Sequence, residues 1–590
     1  MGAFFLYRTD AAINLLAVEE LFRAKGFSGH SAHKGQTWTL WHFRKQLMPD
    51  AACTAMCGDV TAYALGAFSY QGLGIQGSLD ALLRAHQEGP INAQALVGGL
   101  CLLICKPGRI TIVTDPLNLI HVFGNENQTV FSSSFAAVLK AGPGKFRVNI
   151  PAVLENALAG YMIGPDTTAK GIHLVDHRCP VRVAGDEVVF HQFAAPGSIQ
   201  DARPIASPRA ACLGEQMAEL DSVFGQLRAV VDESGGVDIG LSGGYDSRLL
   251  VLLAKRHFSK VTAHSHYHRE TTEDEAIARR IAAALDIPLY RCESAKQPVE
   301  LDDEEFERNL DDTAAFADGR VIQDYSWMSV FRTRQYRLSV LRGARFAMNG
   351  LGGELYRNHD SLLWPRIYAR EWIKARVFGP AVCPALPKAQ LRMLLDFIQG
   401  KAGARLGLDF SGWISRNHAR RYYGELYSVY GAAVRMSVDN QLAFSLSPFL
   451  DLRLRRAVYR ALPHLGLAGR VERELIYRLN STVAALPSTY GYSFDRAEPV
   501  RALAKLALRG TVPFRVQNGL QAWRLGLTQT AAPALALLCQ RHPRVRRAVE
   551  LMRDPAFGLV WERVVQDRVL LLRVVSIGLM MLKYEDCLEL

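Results

Sequence analysis

Val237-Asp238-Ile239-Gly240-Leu241-Ser242-Gly243-Gly244-Tyr245-Asp246-Ser247-Arg248-Leu249-Leu250 is the stretch on which the fold turns. An apolar run, Val237 to Leu241, reads as a buried strand. A short loop, Ser242 to Asp246, follows, and Ser247 to Lys255 reads as a helix. Two adjacent glycines let the backbone turn sharply and approach a ligand with no Cβ in the way. Backbone N–H groups at such a loop and at the next helix terminus make an anion site. Ser242 and Ser247 add hydroxyl donors. Asp246 would repel bare phosphate, so its presence calls for a bridging Mg²⁺. The Gly-Lys-Ser/Thr ending of a Walker loop does not occur. A plain capped turn would explain Gly-Gly alone, but the whole six-residue string between strand and helix is far more specific.

The same alternation continues outward. Lys260 to His264 is a second strand, Glu273 to Leu285 a helix with Ala276, Ile277, Ile281 and Leu285 on one side, and Pro288-Leu289-Tyr290 opens a third strand. Strands alternating with helices predict a doubly wound α/β sheet with its ligand crevice at the strands' carboxyl ends. Before it, Glu215 to Val231 reads as an amphipathic helix. From about Leu362 onward the pattern is mainly helical. Towards the N-terminus, short apolar runs such as Leu96 to Cys105, Ile110 to Val113 and Thr129 to Phe131 suit strands of a sheet-rich region. A polar, Pro-containing stretch from Ala195 to Ser207 reads as a linker, which gives domains over 1–195 and 208–590.

Bulk properties agree. At 590 residues the chain exceeds one core. The net charge of +12, from 69 basic and 57 acidic residues, is widely spread with a cluster at Arg541, Arg544, Arg546 and Arg547. It suits a solvated surface, or attraction for anions such as ATP, an acidic peptide or nucleic acid, and charge alone does not choose among them, although no nucleic-acid partner is expected. Ten cysteines include no Cys-x-x-Cys pair, so they read as free thiols of a reducing compartment. The early acidic residues Asp10, Glu19 and Glu20 argue against a signal peptide. Val569 to Leu582, broken by Arg573, is shorter than a membrane span and reads as a buried helix. The expected location is cytoplasmic. His264, His266 and His268 share one strand face; Tyr245 reads as a packing residue, and Trp38 and Trp41 as core or groove residues.

The loop Ser242 to Ser247 resembles the Ser-Gly-Gly-x-Asp-Ser motif of the asparagine-synthetase superfamily. Three further stretches are similar to that family in order: Thr272-Glu273-Asp274-Glu275, its acidic segment; Asn349-Gly350-Leu351-Gly352-Gly353-Glu354-Leu355, its second Gly-rich loop; and Ser447-Pro448-Phe449-Leu450-Asp451, its Pro-Phe-Leu-Asp signature. Thr114-Asp115-Pro116-Leu117-Asn118 and Phe131-Ser132-Ser133-Ser134-Phe135 resemble segments of the family's class II glutamine amidotransferase domain. The resemblance implies a degenerate N-terminal-nucleophile-like domain followed by a synthetase domain of the adenine-nucleotide hydrolase-like type with a helical extension. It implies ATP and Mg²⁺ as cofactors, with Leu241, Ser242, Gly243, Gly244, Asp246, Ser247, Asn349 and Gly350 at the nucleotide. Asp246 and Glu354 would serve the metal and the chemistry. The resemblance also places the nucleotide beside His264, His266 and His268, which implies a polar site wall there rather than a zinc site.

Two departures narrow the expectation. Position 2 is Gly2, where the glutaminase needs a nucleophilic cysteine, and no cysteine precedes Cys53. In Tyr490-Gly491-Tyr492-Ser493-Phe494, Gly491 stands where the family has a lysine, so a cation such as Arg473 or Arg478 would have to substitute, or the nucleophile needs less help. Leu351 likewise replaces a Glu. These losses resemble the lasso-peptide cyclase (macrolactam synthetase) branch, in which a peptide's N-terminal amine attacks its own adenylated Asp or Glu side chain. An α-amine, with a pKa of about 8, is partly neutral at cellular pH, and intramolecular attack gains effective molarity. The expected function is ATP-dependent isopeptide formation on a precursor peptide, with a leader peptidase as partner. A small-molecule amide ligase, such as an ammonia-dependent asparagine synthetase or a β-lactam synthetase, and a non-catalytic peptide- or nucleotide-binding pseudoenzyme are the alternatives.

Overall fold

The computed structural model describes every residue except 90, 177, 191–207, 268–271, 297, 322–332, 358–362, 380–381 and 526–530. The linker expected at Ala195 to Ser207, together with His268 and Leu362, lies outside the described residues.

The architecture is mixed α/β. In the N-terminal half, alternation along each strand sorts side chains into two cores. Phe4 and Leu6 of strand Ala3–Arg8 meet Leu40, Leu65 and Leu103 in a core between two sheets. Phe5, which lies between them in sequence, faces the opposite way and packs with Trp41 against Val18 and Phe22 of helix Leu15–Ala24. Both sheets are six-stranded and antiparallel. The first runs in the order Ile172–Leu174, Phe123–Asn125, Val130–Ser132, Ala3–Arg8, Trp38–Phe43, Ser31–Lys34. The second runs Glu187–Phe190, Val181–Ala184, Arg109–Thr114, Leu96–Lys106, Val60–Tyr70, Thr54–Cys57. Ala62, Ala64, Leu100 and Leu102 on its outer face are covered by Leu79, Leu82 and Leu83 of helix Ile75–Glu88. The three strands expected from apolar runs are present with ends shifted by a residue or so. Trp38 and Trp41 are core residues.

The segments Thr114 to Asn118 and Phe131 to Phe135 serve as local joints. Asp115 is buried and accepts hydrogen bonds from the N–H groups of Leu100 (3.1 Å), Leu117 (2.8 Å) and Leu119 (3.0 Å), closing its turn. Ser132 Oγ donates to the Phe4 carbonyl (2.6 Å) and Ser134 caps helix Phe135–Ala141. Gly2 heads the first strand, where a Cβ would meet the Phe27 ring at 2.9 Å and the carbonyls of Arg44 and Gln441 at 3.0 Å. The position has little room for any side chain.

The second half is built on five parallel strands: Val237–Gly240, Val261–Tyr267, Leu289–Glu293, Phe346–Met348 and Phe444–Leu446, hereafter the first to fifth. Their order in the sheet is third, second, first, fourth, fifth. The order reverses between the first and fourth, which is where such sheets open a crevice at their carboxyl ends. Helix Arg209–Glu233 buries Leu220, Phe224, Leu227 and Val231, and Tyr245–His257 begins two residues before the helix expected at Ser247. The fourth and fifth strands have three residues each, too short for a period to register in sequence. The rest of this half is mainly helical, with one added strand pair, Arg366–Tyr368 and Trp413–Ser415.

The halves share a continuous core, and Leu588–Glu589 pairs with Phe146–Arg147. A buried ion pair also joins them: Lys25 Nζ lies 2.8 Å from Asp318 Oδ1, each side chain 2% exposed. Helix Arg568–Lys583 is buried as expected, and Arg573 inside it donates to the Leu158 carbonyl (3.2 Å). Among the described residues, no helix is long and apolar enough to cross a membrane. The ten cysteines are free thiols. Within the late arginine cluster, Arg544 pairs with Glu307 and Arg547 with Glu585, so part of that charge is met within the chain.

Candidate active site

The loops after the first, fourth and fifth strands carry Ser242 to Ser247, Asn349 to Leu355 and Ser447 to Asp451. Because those strands are neighbours, three stretches far apart in sequence end beside one another.

The first loop is braced from within. The Ser242 N–H donates to Ser247 Oγ (3.1 Å), the two hydroxyls lie 2.9 Å apart, and the Gly243 N–H donates to Asp274 Oδ1 (2.9 Å). Asp274 comes from the acidic segment, whose Thr272 caps helix Glu273–Leu285. Helix Tyr245–His257 starts without a side chain capping its first turn, so its electropositive end keeps amide donors for an anion. Leu241 is buried in the core, and only its backbone can reach a ligand.

The second loop comes very close to the first. A Cβ on Gly350 would stand 2.9 Å from Asp246 Cβ, and one on Gly353 would stand 2.4 Å from Asp246 Oδ1. Any larger residue would push the loops apart, which is the physical need for glycine here. Asn349 holds the turn, its Oδ1 accepting from the Leu351 N–H (3.1 Å) and the Ser447 hydroxyl. The Pro-Phe-Leu-Asp stretch is buried behind this turn, with Leu450 against Gly352 and Asp451 capping helix Leu452–Arg460.

Asp246 and Glu354 are thereby brought within electrostatic range. Glu354 Oε2 accepts from the Gly352 N–H (3.0 Å) and Oε1 from the Tyr423 hydroxyl. Burial, with Asp246 alongside, pushes the Glu354 carboxyl up to about 7. A third acid, Glu472, is fully buried, with Asp246 and Arg357 beside its carboxyl group. Burial and then Asp246 push its pKa well above the usual carboxyl range. The cation that meets these acids is Arg357. Its Nη2 donates to both Asp246 oxygens (3.0 and 2.7 Å), Nη1 donates to Tyr490 Oη (2.8 Å), and Nε lies 3.6 Å from Glu472. Burial opposes the guanidinium charge, but Glu472 and Asp246 raise its pKa above the ordinary arginine value.

These residues suit Mg²⁺, a hard cation that takes one or two protein carboxylates and completes its shell with water and substrate phosphate. Asp246, in the first turn of helix Tyr245–His257, and Glu354, in the short turn Gly353–Tyr356, are two such donors. Among the described residues no cluster of three or more His, Cys, Asp or Glu side chains could hold a metal by itself. His264 pairs with Asp238 (2.6 Å) and His266 with the Tyr336 hydroxyl (3.1 Å), so both histidines have polar protein partners.

The segment containing Gly491 does reach the first loop. Thr489 abuts Gly243, Tyr490 and Tyr492 sit by Tyr245, and Phe494 stacks on the Tyr245 ring with centroids 3.9 Å apart. Gly491 itself brings no side chain. Arg473 pairs with Glu498 and Arg478 is exposed, while Arg357 places its guanidinium on Asp246 and Arg248 donates to the Gly243 carbonyl (3.4 Å). No local motif marks Arg357 or Glu472 in the sequence. Tyr245 is a packing residue. Tyr245→Phe keeps the Phe494 stack and loses the hydroxyl contact with Tyr492 (3.1 Å). It is expected to cost about 1 kcal/mol in thermal unfolding.

The fold thus joins an antiparallel two-sheet half to a parallel α/β half with a multi-loop acidic site. No protein-family model matches the chain, and no curated protein matches it. Among solved structures it is similar to the glutamine phosphoribosylpyrophosphate amidotransferase from B. subtilis complexed with ADP and GMP, at 11% identity and a TM-score of 0.21, covering 49% of this chain and 65% of that one. It is also similar to a structure described as the allosteric regulatory enzyme of purine biosynthesis, at 9% identity and a TM-score of 0.22, covering 49% and 64%. The chain therefore matches less than two thirds of the length of either. A likeness this loose identifies neither residues nor reaction.

Proposed function

We propose that this chain is an ATP-dependent carbon–nitrogen ligase that adenylates an Asp or Glu side chain of a precursor peptide for attack by the peptide's own N-terminal amine. The observation that carries the reading is the meeting of Asp246 and Glu354, from two strand-end loops, at the uncapped amino end of helix Tyr245–His257. In this reading a carboxylate oxygen of the peptide attacks the α-phosphorus and pyrophosphate leaves. The amine then attacks the activated carbonyl carbon, loses a proton, and AMP departs as the amide forms. Bound Mg²⁺ would offset the phosphate charge from Asp246 and Glu354. The amides of the first loop and the helix terminus orient the pyrophosphate. A leader-removing peptidase would supply the substrate.

The test incubates the full chain with ATP, Mg²⁺ and a leaderless precursor peptide. AMP, pyrophosphate and a product lighter by one water are expected. Release of ADP instead of AMP sinks the mechanism, and asparagine formed from aspartate and ammonia would move the substrate to a small molecule.

A further inference from the structure

Arg357 occupies both oxygens of Asp246. Asp246 cannot give both of them to a guanidinium and also serve a divalent cation unhindered, because the two positive charges repel at that distance. Yet Arg357 is anchored independently of Asp246, through Tyr490 Oη (2.8 Å), Glu472 (3.6 Å) and the Tyr245 ring, 5.5 Å from the guanidinium. Fully buried Glu472 faces the Arg357 guanidinium and holds it from the side away from Tyr490. The planar guanidinium fork fits a carboxylate and a phosphate equally well.

We infer that Arg357 is a placeholder for the metal, neutralising Asp246 when no Mg²⁺ is bound and turning, still held by Glu472 and Tyr490, to the nucleotide's phosphates when Mg²⁺·ATP enters. The inference rests on the ATP reading above. It names the cation that offsets phosphate charge in a chain with glycine at position 491. A placeholder has a signature that a structural brace lacks. Removing its charge frees Asp246 for metal alone but withdraws a donor from the phosphates, so two affinities move in opposite directions. A brace, once removed, would loosen both.

The experiment uses the full chain and two probes: Mn²⁺ alone, followed by electron paramagnetic resonance, and Mg²⁺ with α,β-methylene ATP, followed by calorimetry. Arg357→Met is expected to bind Mn²⁺ on the order of tenfold more tightly and the nucleotide on the order of tenfold more weakly. Arg357→Lys should stay near wild type for Mn²⁺. Because Arg357→Met strands Glu472 without its counter-ion, the double variant Arg357→Met/Glu472→Gln removes the pair together and is expected to show the same opposed shifts. Affinities that fall together, or neither changing, overturn the placeholder while leaving the ATP reading intact if wild type binds the nucleotide. A wild-type chain that binds no Mg²⁺·nucleotide overturns both.

Discussion

Asp246→Asn is expected to abolish AMP formation, lowering the rate on the order of a hundredfold to a thousandfold, in a protein that remains folded. Asparagine has nearly the shape of aspartate, so the close approaches of Gly350 and Gly353 survive the change. What it lacks is the charge. Without it a Mg²⁺ ion held as proposed would lose one of its two carboxylates, and Arg357 and Glu354 lose the neighbour that shapes both of their titrations. Chromatography of AMP released from ATP and peptide measures the effect, and circular dichroism verifies the fold. Product formation at the wild-type rate would refute the catalytic role of the loop and favour a pseudoenzyme.

Asp318→Ala is expected to destabilise the chain by about 3–5 kcal/mol, seen as a large drop in the thermal midpoint. Asp318 accepts from Lys25 Nζ (2.8 Å), from the Phe135 N–H (2.7 Å) and from the Ser134 hydroxyl. One carboxylate thus ties the helix Leu15–Ala24 region, helix Phe135–Ala141 and the end of helix Asp303–Phe316. Alanine leaves a buried ammonium without its counter-ion. It also occupies a left-handed position, φ 62°, that aspartate and asparagine tolerate better. Asp318→Asn removes the charge without that strain and separates the two costs. The pH dependence has a definite sign. Burial lowers the Lys25 pKa and Asp318 raises it, so removing Asp318 lowers it further. The folded variant then sheds the Lys25 proton at a pH where the unfolded chain, at about 10.5, still holds it. Its stability therefore rises with pH across that window and is fully penalised below the folded pKa. Thermal midpoints at neutral and alkaline pH test this, and a variant equally stable to wild type at neutral pH would remove Asp318 from the joint between the halves.

Legibility followed locality. The helix Glu273–Leu285 coincides with its sequence reading because an apolar stripe and a Thr272 cap lie within a few turns. The strand Val237–Gly240, the glycine turn and the following helix are readable for the same reason. The fourth and fifth strands were not, since three residues each carry too little period to stand out. The acidic segment was readable as a motif, but the hydrogen bond from Gly243 N–H to Asp274 required the fold.

By itself, then, the sequence determined a strand–glycine loop–helix unit, the carboxylates Asp246 and Glu354 on two glycine-rich turns, and a glycine at position 491. Those are properties of contiguous residues, whose backbone freedom and charge do not depend on distant partners. Only the tertiary structure decided which charges meet. The strand order sets the first, fourth and fifth strand ends side by side, and Arg357 comes to Asp246 from 111 residues along the chain. That Arg357 meets Asp246 depends on packing between segments, which leaves no periodic trace along any one of them.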